Sequence, residues 1–250
     1  MSRYFIYLAY NGENYCGWQT QPNGMSVQET IEKAFATLLR VPTSIVGAGR
    51  TDAGVHARMM VAHFDNDRED LDVDLLTNKL NSLLPRDIAI YKIVEVREDA
   101  HARFDATSRL YRYYVTIAKD PFLYKFKHKV YGDIDVEAMN ACAKVFFEYE
   151  DFTSISKLHT DLKTNNCMIM QAHWEKKGDD YVFTIQANRF LRNMVRSIVG
   201  TLLEAGRGKI GVDDMRRIIE AKDRAQAGTS VPGQALFLEE IEYNSDIFKS

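Results

Sequence analysis

The order in which hydrophobic periodicity switches along the chain limits its fold more than any single residue does. Arg3 to Tyr10 alternates with the two-residue period of a strand and stops at the turn signal Asn11-Gly12. Ser26-Val-Gln-Glu29 has capping-box spacing, and Val27, Ile31, Phe35, Leu38 and Leu39 then recur at helical intervals up to Pro42. Short strands are predicted over 44–47 and 59–64, around a glycine-containing loop. A second helical stripe of Leu71, Leu75, Leu76, Leu80, Leu83 and Leu84 ends at Pro85, and 88–96 alternates again. The second half repeats this order. It reads as a strand over 110–118, a helix over 136–147, strands over 167–175 and 181–187 joined across Lys177-Gly178-Asp179, a helix over 190–205, an extra helix over 212–221 and a strand over 236–243. Two strand-helix-strand-strand-helix-strand halves predict an α+β protein built of a pair of split βαβ units, with a boundary between 100 and 109. The competing reading is one irregular α+β domain, since the repetition is of pattern order and not of residues.

Composition narrows the function classes. A chain of 250 residues that is 46% hydrophobic and 27% charged is not disordered and has material for one large core or two domains. No uninterrupted apolar run approaches the ~20 residues that span a bilayer, so no membrane span is expected. Arg3 is followed only by a short apolar stretch broken at Asn11 and Gly12, which does not read as an export signal. Cys16, Cys142 and Cys167 are too widely spaced for a disulfide framework or a CxxC pair, and a reducing cytoplasm is expected. The formal charge of -3 does not advertise a polyanionic partner, so any phosphate contact rests on local clusters.

Three segments have the composition of functional sites. Gly47 to Ala57, GAGRTDAGVHA, packs three glycines, Arg50 and Asp52 into a tight loop after a short apolar strand. It satisfies neither the Walker A spacing nor GxGxxG. Two readings remain: an Asx turn with a surface ion pair, or a carboxylate kept ionised by nearby arginine and presented to a substrate as nucleophile or base. In the helix over 190–203, Leu191, Met194, Val195, Ile198, Val199, Leu202 and Leu203 cover more than half of the wheel. Arg192 then projects between Val199 and Leu203, and Arg196 lies at the edge of the apolar arc. Each of these arginines either meets an anion or snorkels to solvent. The third segment, His101 to Tyr114, interleaves Arg103, Arg109 and Arg112 with Phe104, Tyr111, Tyr113 and Tyr114, a mixture that suits single-stranded RNA or simply covers a sheet. Lys119 to Lys129, with Lys125, Lys127 and Lys129 beside Phe122, Tyr124 and Phe126, is a further basic and aromatic cluster. His56, His63, His101, His128, His159 and His173 show no HxxxH spacing, and no metal site is expected.

Together these segments resemble the tRNA pseudouridine synthase A family. The match runs through Gly17-Trp-Gln, Gln21-Pro-Asn-Gly24, Ser26-Val-Gln28, Gly47 to Ala57, Leu84-Pro85, His101-Ala-Arg-Phe104, Ser108-Arg-Leu-Tyr-Arg-Tyr113 and Phe190 to Gly200, and so covers nearly the whole chain. The resemblance implies a cytoplasmic, homodimeric enzyme without metal or cofactor that converts uridine to pseudouridine in the anticodon stem-loop of tRNA, at the positions counted 38, 39 and 40. It further implies two ferredoxin-like halves sharing a continuous mixed, mainly antiparallel sheet, with helices on one side and an active-site cleft across it. Residues 1–105 would carry the catalytic Asp52 loop with Arg50, and 106–250 would carry Tyr111, which lies against the target base, and Arg196, which pairs with Asp52. The segment from Ser154 to Asn166 is expected to be a loop that touches RNA. Ala235 stands where the family commonly shows glycine.

Overall fold

A strand covered on both faces runs through the first half. In the computed structural model, which describes residues 1–22, 24–68, 71–157 and 164–249, β1 (Ser2–Tyr10) buries Tyr4, Phe5, Ile6, Tyr7 and Leu8 in succession. A strand reads this way only when both its faces are covered. It lies antiparallel between β3 (His56–Asn66) and β4 (Ile88–Val96), and β2 (Val46–Gly47) pairs with β3. The resulting order, β4-β1-β3-β2, is that of a split βαβ unit. β2 is only two residues long, shorter than the sequence suggested.

Helix α1 (Val27–Leu39) begins where Ser26 accepts the Glu29 N–H, as the capping-box spacing predicts. Its Phe35 meets Phe64 of β3 at 4.7 Å between ring centroids, and Phe64 stacks on Tyr4 of β1 at 5.4 Å. α2 (Val73–Leu83) departs from its sequence stripe. Leu76 and Leu80 are buried, but Leu75 and Leu83 are 48% and 47% exposed. Leucines recurring on two neighbouring ridges exceed what one sheet face covers, so the outer ridge faces away from the core.

In the second half, β5 (Ala106–Thr116) pairs antiparallel with β8 (Asp180–Ala187), and β8 pairs with β7 (Ile169–Lys177) across a turn at Gly178, where φ is +63°. β6 (His128–Lys129) lies parallel to β5. α3 (Val136–Lys144) is capped by Asp135 and packs against β7 and α4 (Met194–Gly206), which is followed by α5 (Val212–Glu220). The last strand is β9 (Leu236–Tyr243). The described residues thus form an α+β fold of nine strands, mostly antiparallel, and five α helices.

The chain divides into two compact units, Met1–Thr107 with Phe237–Ser250, and Ser108–Leu236. The sequence reading counted the strand over 236–243 with the second half. Here Phe237 and Leu238 of β9 run parallel to His56 and Ala57 of β3, and that strand clusters with the first unit. Asn23, His159 and Lys163, and the middle of the 154–166 segment, lie outside the described residues.

One buried histidine makes the first unit sensitive to acid. The His63 ring is buried on β3, accepts the Ala102 N–H at 3.2 Å on Nδ1 and lies 4.6 Å from the His101 ring. Burial, aided by the positive charge of His101 and Arg3, lowers its pKa to about 4. The unfolded chain, titrating near the ordinary value of ~6.5, therefore binds more protons between these values. Stability present above pH ~6.5 is lost as pH falls toward 4, by on the order of 2 kcal/mol from this group. In urea unfolding between pH 7 and pH 4, His63→Gln should lose less stability than the wild type. Equal losses would show that His63 does not cause the sensitivity.

Candidate active site

In the first unit the loop from Gly47 to Ala57 is laced to the segment from Tyr10 to Trp18. Thr51 is gripped at both ends: its hydroxyl shares a 2.7 Å hydrogen bond with the Tyr10 hydroxyl, and its carbonyl accepts the Trp18 N–H at 3.2 Å. The Asp52 carbonyl accepts the Val55 N–H at 3.2 Å and closes a turn, while Gly54, at φ +75°, donates its N–H to the Tyr15 carbonyl at 3.4 Å. Gly12 donates its N–H to His56 Nδ1 at 3.0 Å. Two glycines allow this close approach. A Cβ on Gly12 would stand 2.0 Å from the Val55 oxygen, and one on Gly17, at φ +113°, would stand 2.4 Å from the Thr51 oxygen.

Within this frame the Asp52 side chain is half-buried and Arg50 is exposed. The segment that braces the loop is itself anchored, since Tyr15 donates its hydroxyl to Asp87 Oδ1 at 2.7 Å and Asn11 donates its N–H to the Asp87 carbonyl at 2.9 Å. Burial and the neighbouring Asp87 carboxylate push the Tyr15 phenol well above its usual range, so it stays protonated as the donor. Tyr10, Gly12 and Gly17 therefore brace a loop that the residue-level reading took by itself. The signal was present as two glycines spaced through a single segment, but their partners lie about forty residues downstream.

The second unit carries Tyr111 and Arg196. Tyr111, on β5 opposite Ile185, is half-buried and meets the Phe190 ring edge-on at 5.2 Å. Two residues further along the same face of the strand, buried Tyr113 donates its hydroxyl to the Pro232 carbonyl at 2.9 Å, and burial raises its pKa. Arg196, half-buried on α4, donates Nε to the Val231 carbonyl at 2.7 Å, and Val231 returns its N–H to the Arg196 carbonyl at 3.2 Å. The backbone of 228–232 thus lies over α4. Gly200 permits this, because a Cβ there would stand 1.9 Å from the Thr229 oxygen.

Arg192 differs from its sequence placement. Asn193 is in the left-handed region at φ +62° and α4 begins only at Met194, so residues 190–193 do not continue the helical wheel and Arg192 is exposed. The carbonyl of Arg192 accepts the Lys157 N–H at 3.0 Å, beyond buried Ser154 and Ser156.

The basic and aromatic segments resolve unevenly. His101 to Thr107 belongs to the first unit and Ser108 to Tyr114 to the second. Arg103 lies 5.7 Å over the exposed Phe104 ring. Arg109 donates to the Asn188 carbonyl at 2.7 Å, so it braces the second unit. Lys127 is committed to Asp180 at 2.7 Å and Asp120 at 3.4 Å. Burial pulls its pKa down, but these two carboxylates outweigh burial and hold it above the usual range. Lys127 is therefore an anchor of its loop, while Phe122, Tyr124 and Lys125 remain exposed. Ala235, fully buried in a short 3-10 turn, is outside the left-handed region, so alanine fits the backbone there. Among the described residues there is no group of three or more His, Cys, Asp and Glu placed to hold a metal, and no helix long and apolar enough to cross a membrane.

Comparison with known proteins bears directly on this constellation. A family profile described as tRNA pseudouridine synthase matches residues 6–105 and 146–244. The chain belongs to this family. A Parabacteroides distasonis protein named tRNA pseudouridine synthase A is 63% identical over 248 residues, 99% of this chain and 98% of the relative. A Bacteroides fragilis protein of the same name is 60% identical over 250 residues, 100% of this chain and 99% of the relative. A more distant one from a Geobacter strain is 39% identical over 241 residues, 95% of this chain and 97% of the relative. Asp52, Arg50 and Arg196 fall inside the pseudouridine synthase profile, whereas Tyr111 falls between its two matched stretches.

Proposed function

We propose that this tRNA pseudouridine synthase family member isomerises uridine to pseudouridine in the anticodon stem-loop of tRNA, at positions 38, 39 and 40, with Asp52 as its catalytic residue. The observation that carries the reading is the Asp52 loop itself. It is held by its neighbours through backbone and hydroxyl groups, within a chain that matches the family over most of its length. A loop braced so heavily around one half-buried carboxylate is a presentation device, and preorganised placement is what such a reaction requires.

The chemistry needs little besides placement. The N1–C1′ bond breaks, the freed uracil turns, and a C5–C1′ bond forms. The hydrogen leaves C5 as a proton and N1 gains one, so composition is unchanged and no cofactor or metal is called for. A stem base must first be extruded, at a cost of a few kcal/mol. In this reading Tyr111 lies against the extruded base, Arg50 reaches the RNA from its exposed position, and Arg196 is the third substrate-binding residue. Asp52 then adds at C1′ or at C6, or removes a ribose proton. Residues 1–105 supply Asp52 and Arg50 and 106–250 supply Tyr111 and Arg196. The active form is a cytoplasmic homodimer, whose doubled surface concentrates local cationic groups although each chain carries a formal charge of -3.

The deciding experiment incubates the protein with unmodified anticodon stem-loop RNA and maps pseudouridine chemically. Pseudouridine at positions 38 to 40 is expected without added metal or nucleotide. An unmodified product, or modification confined to other uridines, would overturn the reading.

A further inference from the structure

The grip on the residue preceding Asp52 has a feature that packing alone does not require. Thr51 is 8% exposed and Tyr10 4% exposed, yet they meet through their hydroxyls at 2.7 Å. A phenylalanine and a valine would fill the same volume without taking two polar groups out of water. What the hydroxyl pair adds is direction. Tyr10 ends β1 and is paired on one side with Ala57 of β3 and on the other with Ile88 of β4, so its backbone is fixed within the sheet. Its ring packs against Trp18, with centroids 6.1 Å apart, and the Trp18 N–H holds the Thr51 carbonyl at 3.2 Å. Thr51 is thus tethered at its hydroxyl and at its carbonyl by two neighbouring aromatic residues, and Asp52 follows directly.

We propose that Tyr10 is a positioning residue for Asp52, setting through the Thr51 hydroxyl the angle at which the carboxylate is presented to the uridine. The inference rests on the proposed function and extends it from the carboxylate to the device that aims it. Tyr10 touches no reacting atom in this account. Losing its hydroxyl should degrade the chemical step while leaving RNA binding intact.

The test is steady-state and single-turnover kinetics on the anticodon stem-loop with Tyr10→Phe, Thr51→Val, Thr51→Ser and the Tyr10→Phe/Thr51→Val double variant, each checked by thermal unfolding. Tyr10→Phe and Thr51→Val should each lower kcat by about tenfold with KM within about twofold, the scale expected of a misplaced catalytic group. Because the two side chains act as one unit, the double variant should fall no further than the singles. Thr51→Ser, which keeps the hydroxyl, should stay near wild type. A wild-type kcat for Tyr10→Phe, a loss confined to KM, or a Thr51→Ser variant as impaired as Thr51→Val would overturn the inference. Asp52→Asn in the same assay separates the two claims. If it is inactive while Tyr10→Phe is unimpaired, only the positioning role falls, and if it is active the proposed function falls with it.

Discussion

Asp52→Asn should abolish pseudouridine formation, with a fall in kcat of at least about a thousandfold, while the Kd for tRNA stays within severalfold. The substitution conserves shape and removes only the charge. The loop's hydrogen bonds through the Thr51 hydroxyl and carbonyl, the Asp52 carbonyl and the Gly54 N–H all survive it. The fold should therefore be unchanged, and a lost product can be assigned to chemistry. A protein that only binds RNA would give no product in either form, and a variant that still modifies tRNA would remove Asp52 from the mechanism. A phosphate-binding loop is the other reading that Gly47 to Gly54 invites, but the structure disfavours it. The N–H groups of Ala48, Gly54 and Val55 are spent on the carbonyls of Val61, Tyr15 and Asp52, so these three donors are not available to a phosphate.

The second large effect is expected at a residue that touches no substrate. Gly17→Ala should lower unfolding stability by roughly 2–4 kcal/mol and reduce kcat by more than the loss of folded protein explains. Gly17 adopts φ +113°, a conformation that a side chain strains, and its added Cβ would stand 2.4 Å from the Thr51 oxygen. That oxygen is half of the grip on the residue before Asp52, so relief of the clash must move the Asp52 loop. Gly49→Ala is the control for stability: the same loop has no atom within 4 Å of a Cβ there, and its unfolding midpoint should stay close to wild type. Urea unfolding of both variants checks the contrast, and equal midpoints would show that the interlock tolerates displacement.

The contrast between Gly17 and Gly49 also shows where the sequence was legible. Local rules carried far: the cap at Ser26, the Gly178 turn and the strand over 236–243 lie where hydrophobic period and turn chemistry put them. Relations between distant segments did not. The helical wheel over 190–203 misplaced Arg192 because one left-handed residue, Asn193, shifts the helix start to Met194. Leu75 and Leu83 look like core from spacing alone, yet burial depends on what the sheet opposite can cover. Lys127 reads in sequence as one member of a basic and aromatic cluster, but Asp180, more than fifty residues away, claims it. For the candidate site, the Asp52 loop was visible as composition, while the Tyr10 and Gly17 contacts that aim it became visible only when both chain segments were placed together.

The most direct measurement of the central claim is release of tritium from stem-loop RNA labelled at uracil C5. Forming the C5–C1′ bond must expel that hydrogen, whichever route Asp52 takes. Wild-type protein should release one tritium for each pseudouridine formed, and Asp52→Asn should release none above background. Tritium release by Asp52→Asn at a rate comparable to wild type would contradict the account.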